Sequence, residues 1–510
     1  MFRKSPPRTE PDDLSSIESH FKPAKLKAFN DPLAWHNVFH DHITARIDEN
    51  IFSVLYDERQ GRPNAPVRVL ASLTILKKGF AGSDEALFEA CGYNLLMMKA
   101  LGLSNLNDSI PTLSTYYKFK QSLYNYQTNT GEDLIGDLFR QLGKDQAEVF
   151  GVNGDKIRMD SKLIGSNIAQ CSRLQLILGC LQVFWKSLNL KQKMCLSPED
   201  RKLMDELMKK KPGQIVYRLN DEEKEEKLKN LGELLLRLQG VYAERDSDKY
   251  MLIERLLAEQ YTLEEGRTIL KENKEIAADS LQSPHDADAT YRKKKDQKVQ
   301  GYSVNVTETC NGTGLELVTD VQVEAAGHAD NHYVQPAIEN TEKVVGEVKD
   351  ATMDGAYNDE SNREYADDNE IELHFTGLQG AEGRYAFENT PEGGWKVTDR
   401  KTGETQTAVK CASGKYRITL NGKYKYRYFT EGDIESYLRR QEIKNMPAPV
   451  KNRRNNVEAT IFQLSYYTRN NKTRYRGKMK TQAWASCRGM WMNLVRIVNY
   501  LGEPRLAPAV

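Results

Sequence analysis

A mixed α/β architecture is what the sequence predicts, with an all-helical segment in front of it and two inserts within it. Three observations carry the prediction. From residue 155 onward the hydrophobic period switches repeatedly between two and 3.6 residues, giving strand, helical insert, strand, strand, helix, strand, helix, strand. Residues 168–280 are rich in Leu, Glu and Lys, with Leu228, Leu231, Leu234, Leu235 and Leu238 on one helical face. Residues 376–430 are rich in Gly, Thr and Tyr, with alternating stretches such as YRITL and KYKYRYF.

In chain order, residues 1–30 are polar and Pro-containing and are expected to form a flexible arm. Residues 31–150 read as short helices. VRVLASLTILKKGF places Val67, Leu70, Leu73 and Leu76 at helical spacing. Ser83 or Asp84 can cap the next helix, and Thr112 or Ser114 the one after. Asn153-Gly154 marks a turn into a short alternating strand, Ile157, Met159, Ser161, Leu163, with Asp160 on the face opposite Met159. Residues 168–280 are expected to be a helical insert; no clean heptad persists that would make a coiled coil. VQGYSVNVTET and LELVTDVQV, joined by NGTG, read as a hairpin. Next come a helix over NHYVQPAIENTEKVVGEV, a short apolar segment ending in MDG, a helix over YNDESNREYADDNE and the strand IELHF. Residues 376–430 form the β-rich insert, and two helices close the chain.

The composition, 39% hydrophobic and 28% charged, belongs to a globular chain with a real core. No run of about 18 apolar residues is present, so no transmembrane helix is expected. The segment MFRKSPPRTEPDDLSS carries no apolar run and does not read as a secretory signal. Seven scattered cysteines without a CxxC pair fit reduced cytoplasmic thiols rather than a disulfide framework or a zinc site. The net charge of +1 hides an asymmetry: residues 439–510 hold 15 Lys and Arg against 3 Asp and Glu, or +12, which leaves −11 for the rest. A basic end of this kind marks a candidate nucleic-acid surface.

Three acidic residues stand beside apolar stretches: Asp160 in KIRMDSKLIGSN, Asp354 in VKDATMDGAYN and Glu458 in RRNNVEATIF. Carboxylates are the donors that hard divalent cations take, and two such ions can clamp the attacking and leaving oxygens of a phosphodiester. Taken alone, each is ordinary: Asp-Gly is a turn signal, and an Asp on a strand or a Glu on a helix is commonplace. The surroundings of Glu458 are less ordinary. Val457, Ile461 and Leu464 mark a buried face next to it, and Arg454 lies four residues earlier on the same face, where it could pair with the carboxylate or hold a phosphate. His36, His40 and His42 imitate metal-ligand spacing, but no further ligand set completes a site. Tyr466, Tyr467, Tyr475 and Trp484, set among basic residues, could stack on bases or simply pack the last helices. No GxxxxGK[ST] loop is present, so ATP use is not expected.

These segments together resemble the DDE transposases of bacterial insertion sequences. GRPNAPVRVLASLTILKKGFAGSDEALFEACGYNLLMMKALGL with IPTLSTYYKFKQSL is similar to their helical N-terminal domain. MDSKLIGSN resembles the strand of their first Asp, MDGAYNDESNREYADDNEIELHF the segment of the second, and RRNNVEATIFQLSYYTRNNKTRYRGKMK the Glu helix and the basic stretch after it. The resemblance implies an RNase H-like mixed sheet with flanking helices over 151–167 and 281–510, interrupted by inserts at 168–280 and 376–430. It implies a DNA-binding role for residues 31–150. It further implies that Asp160, Asp354 and Glu458 hold Mg²⁺ or Mn²⁺ and catalyse cleavage at element ends and strand transfer into target DNA. Double-stranded DNA, a homodimer on that DNA, and a cytoplasmic, nucleoid-associated location are implied partners and place. Many relatives carry a Tyr seven residues before the Glu, an Arg four before it and a Lys seven after it. Here those positions are Lys451, Arg454 and Ser465, so only the Arg matches. Arg453 and Arg454, and Arg469, Lys472, Arg474 or Arg476 in place of the missing Lys, are the candidate phosphate contacts. A nuclease that cuts without joining, and an inactive DNA-binding protein, remain the alternatives.

Overall fold

A computed structural model describes residues 1–57, 62–80, 82–243, 247–294, 297–312, 314–378, 380, 382–391, 393–420 and 425–502, with only the backbone at residue 455. Its centre is a six-stranded mixed sheet: β1 (Lys156–Gly165), β2 (Thr290–Lys294), β3 (Gln297–Thr309), β4 (Val318–Ala325), β5 (Asp350–Met353) and β6 (Glu372–Phe375). The long β3 runs antiparallel to β1 on one side and pairs in succession with β2 and β4 on the other. β5 lies parallel to β1, and β6 parallel to β5. Of the expected turn between β3 and β4, residue 313 lies outside the described residues.

Side chains alternate across β1 as strand geometry requires. Ile157 and Met159 enter a core with Ala337 and Ile338 of helix α4 (Val334–Val345), whereas Ile164 joins a core on the other face. That second core is continuous. It runs from Val304, Val306 and Val323 of the sheet through Trp491 and Ile497 of the last helix, α6 (Lys478–Leu501), to the N-terminal helices. Among the latter are α1 (Val67–Gly79), α2 (Leu113–Thr130) and α3 (Leu134–Phe150). The N-terminal helices are therefore packed onto the sheet body through α6. At Gly79 the approach is so close that a Cβ would stand 2.1 Å from the Trp491 indole. The expected caps form: Ser83 Oγ accepts from Ala86 N–H and Thr112 Oγ1 from Thr115 N–H.

Two features differ from expectation. Residues 1–30, expected to be a flexible arm, are tied down. Ile17 and Phe29 are buried, Thr9 N–H donates to Gly102 O at 2.8 Å, and Pro23–Phe29 is a helix. The apolar residues that anchor this segment are few and widely spaced, so no period announces them. The 168–280 insert forms helices with its own core around Phe184, Leu235 and Ile253, but it ends in a hairpin, Tyr261–Glu264 with Arg267–Leu270. Glu265 and Gly266 turn it with φ of 48° and 77°, the paired left-handed residues of a tight hairpin. The 376–430 insert forms two three-stranded sheets around Phe387, Val397 and Ile418, on which the Glu431–Asn445 helix packs through Ile434. No helix among the described residues is long and apolar enough to cross a membrane.

Helix α5 (Ala448–Leu464) is fastened to the sheet by a buried charge network. Glu308 of β3 is fully buried; its Oε1 lies 2.6 Å from Arg158 Nε of β1 and its Oε2 2.5 Å from Arg496 Nη2 of α6. Thr460 Oγ1 of α5 donates to the same Oε2 at 2.7 Å, and Arg158 Nη1 donates to the Arg453 carbonyl at 3.2 Å. Burial acts to raise the Glu308 carboxyl, but Arg496 and Arg158 outweigh it and hold it below the ordinary range. Glu308→Gln should cost about 3–5 kcal/mol, because two largely buried guanidinium groups lose the carboxylate they share; urea unfolding at neutral pH measures it. The lowered carboxyl contributes its stability above the ordinary glutamate range and loses it as pH falls through the folded-state value. The gap between wild type and Glu308→Gln should therefore narrow on acidification.

Candidate active site

Asp160 lies mid-strand in β1, opposite Val306 of β3, on the face covered by α5 and α6. Asp354 follows β5 directly, on the strand parallel to β1. Its Oδ1 accepts from Gly355 N–H at 2.6 Å and so caps the short Gly355–Tyr357 turn. Only glycine fits after it: a Cβ at 355 would lie 1.9 Å from the Gly377 carbonyl oxygen. Tyr357 is buried beneath and donates its hydroxyl to Asn305 Oδ1 at 2.7 Å, which fixes the turn on β3. Glu458 sits on α5, whose Val457 and Leu464 are wholly buried, and Pro449 lies in the first turn, where a missing N–H costs nothing.

The three acids meet at one guanidinium. Arg454 Nη2 lies 3.3 Å from Asp354 Oδ2, 3.8 Å from Glu458 Oε1 and 4.0 Å from Asp160 Oδ2. Sharing one nitrogen, these oxygens are no more than about 8 Å from one another, a spread that two cations about 4 Å apart can span. Exposure is graded, from 16% for the Asp160 side chain to 63% for Glu458. Burial raises the Asp160 carboxyl above its usual range, opposed by Arg454 and by the Ser161 N–H at 2.9 Å. Arg454 Nε is buried without an acceptor. Three carboxylates with one cation among them make an oxygen-rich, net-negative site, and its donor chemistry fits Mg²⁺ or Mn²⁺.

A second acidic group lies behind it. One ligand atom each of Asp350, Glu372 and His374 fall within 4.8 Å of one another. Its charge is already met from within the chain. Arg453 Nη1 stands 2.5 Å from Asp350 Oδ2, and His374 Nε2 lies 3.3 Å from the same oxygen. Its hydrogen bond to Asp350 raises the His374 pKa. Arg453, an expected phosphate contact, is thus spent on fixing α5 to β5.

The remaining expected contacts lie on the segment after α5. Arg469, Arg474 and Arg476 are exposed and Lys472 is half-buried. Three of them donate to backbone carbonyls: Lys472 to Ile168, Arg474 to Gly82 at 3.2 Å and Arg476 to Asn167 at 2.7 Å. None of the four pairs with a carboxylate among the described residues. His36 Nε2 donates to the Phe29 carbonyl oxygen at 2.9 Å, as a helix position rather than a ligand. Sequence reasoning missed Glu308, Arg158 and Arg496; their charge sign is legible, but their meeting is not.

Residues 28–122 match the family model described as Transposase domain (DUF772), which supports a transposase. No curated protein and no solved structure matches the chain significantly.

Because Asp160 is held above the ordinary carboxylate range, its contribution to stability is present at acid pH and lost as pH rises through its folded-state pKa. Asp160→Asn removes that cost. Its melting temperature at neutral pH should be at least that of wild type, and calorimetry at acid and neutral pH should show the difference growing upward.

Proposed function

We propose that this chain is a DNA transposase of the DDE type, with Asp160, Asp354 and Glu458 as its acidic triad. The observation that carries the reading is their convergence on Arg454 from β1, the end of β5 and α5. The sheet supports it: β1 and β5, which bring in the two Asp residues, are neighbouring strands of a mixed sheet with flanking helices, as the resemblance implies. The transposase-domain match over 28–122 supports DNA as the partner.

The three carboxylates would hold Mg²⁺ or Mn²⁺, which supply when bound a more acidic water and charge neutralisation at the leaving oxygen. Asp160 sits in the sheet, Asp354 in the glycine-locked turn directly after β5 and Glu458 on a helix clamped to the sheet, so the backbone fixes where each acid leaves it. Arg454 balances part of their charge. Hydrolysis breaks the P–O bond to the 3′ oxygen at the element end. The freed 3′-OH then attacks a target phosphodiester; one P–O bond forms as another breaks, so no nucleotide triphosphate is needed. Arg469, Lys472, Arg474 and Arg476 bind backbone phosphates. A second copy of the chain holds the second end, with the 168–280 insert as a contact surface.

Asp160→Ala, Asp354→Ala and Glu458→Ala should each lower cleavage of labelled element-end DNA by about 10³-fold or more while sparing end binding, as expected of groups that act as a unit. Unaltered cleavage by Glu458→Ala removes it from the triad. Joined products mark a transposase, cutting alone a nuclease, and neither a binding protein. With four phosphate contacts, affinity for duplex DNA should fall by about 10²-fold between 50 and 200 mM salt; a flat profile in a filter-binding titration contradicts phosphate contact by the basic segment.

A further inference from the structure

A cavity of about 550 Å³ opens between the end of α1 and the segment joining α5 to α6. Its lining includes cations that no carboxylate among the described residues neutralises. Arg488 of α6 is 4% exposed, gives its two Nη groups to the carbonyls of Lys78 and Gln463, and has no acceptor for Nε. Burial, opposed in part by Tyr467, pushes its pKa down to about 10. Lys78 Nζ meets the Tyr475 hydroxyl at 2.6 Å rather than a carboxylate, and Arg469 and Lys472 line the same space. A buried guanidinium without a counter-ion is costly to keep, and here it lines an open cavity.

The same cavity carries rings. Tyr466 and Tyr467 are 41% and 40% exposed and meet edge to face at 5.0 Å. Tyr467 is held at φ 66°, an uncommon conformation for an aromatic residue, at the exit of α5. Arg488 Cζ lies 6.0 Å from its ring centroid. Cations for a phosphate and exposed rings for a flat heterocycle thus share one enclosure. Its volume accommodates a single nucleotide unit, and rings exposed at its wall stack on a base whose face is free of a neighbour.

We propose that this cavity binds one unpaired nucleotide of a DNA strand, its phosphate on Arg488 and Lys78 and its base against Tyr466 and Tyr467. The assignment rests on the reading of the chain as a DNA-acting protein and deepens it. The joining segment pairs with the end of β1 through Gly165 and Lys472, five residues beyond Asp160, and leaves α5 six residues beyond Glu458. At about 3.3 Å per strand residue and 1.5 Å per helical residue, these two ends of the segment lie roughly 16 Å from Asp160 and roughly 9 Å from Glu458. That is about three to five stacked nucleotides from a phosphate held at the triad.

The test is fluorescence-anisotropy binding of a labelled single-stranded oligothymidine of about eight nucleotides, in EDTA, so that neither metal nor cleavage enters. Tyr466→Ala and Tyr467→Ala, at exposed positions, should weaken binding by roughly 5- to 150-fold. Lys78→Gln and Arg488→Met should weaken it further, with circular dichroism showing whether each variant is folded. Thymidine 5′-monophosphate should compete at lower concentration than inorganic phosphate. Wild-type affinity in the tyrosine variants, or equal competition by phosphate and the mononucleotide, overturns the assignment. The outcomes separate from those of the triad: pocket-dependent binding without metal-dependent cleavage sinks the transposase reading alone, and cleavage with pocket-independent binding sinks this one alone.

Discussion

Glu308 carries a negative charge in the interior of the protein, and the manner of its neutralisation determines where the last two helices lie. A buried carboxylate is tolerated only when donors surround it. Arg158 comes from the neighbouring strand, Arg496 from α6 and Thr460 from α5, so satisfying one carboxylate fixes three elements against β3. Arg158 extends the network to the carbonyl of Arg453. The orientation of α5, and with it the direction in which Glu458 leaves the helix, is a consequence of that arrangement. Apolar packing by Val457 and Leu464 sets which face of α5 is inward; the polar bonds set its position along the sheet.

Two consecutive arginines on α5 divide the acidic groups between them. Arg453 is paired with Asp350 at the start of β5, and Arg454 stands among Asp160, Asp354 and Glu458 at its end. The first group is compensated and structural. The second has three carboxylates for one guanidinium, and burial already works against ionisation of Asp160. Such an excess of like charge costs stability, and a site of this kind persists where the cost serves binding or catalysis.

The basic end of the chain divides in a similar way. Arg488 is buried, Arg496 is paired with the buried Glu308, Arg453 is neutralised, and Arg469, Arg474 and Arg476 stand exposed on the segment between α5 and α6. Because α6 packs against α1, with Gly79 against Trp491, that segment and the helices that match a transposase domain border one cavity. A net charge near zero conceals a surface of this kind, since the charges that balance it lie elsewhere in the chain.

Local pattern made much of this protein legible. The alternation of Ile157 and Met159 gave a strand with Asp160 on its other face, Ser83 and Thr112 gave helix starts, and Val457, Ile461 and Leu464 gave the buried side of the Glu458 helix. Each of these depends on neighbours within a turn or a strand, so the sequence by itself determined them. The anchoring of residues 1–30 and the hairpin after Gln260 were not legible, the first for want of a period and the second because a Glu-Gly turn is a weak signal. Tertiary structure alone decided which acid each arginine meets: Arg453 takes Asp350, Arg454 the three acids, Arg158 and Arg496 Glu308, and Arg488 none among the described residues. Charge is written in the sequence, but a charge acts over a few ångströms, and the residues within that distance here are separated by up to some 300 positions along the chain.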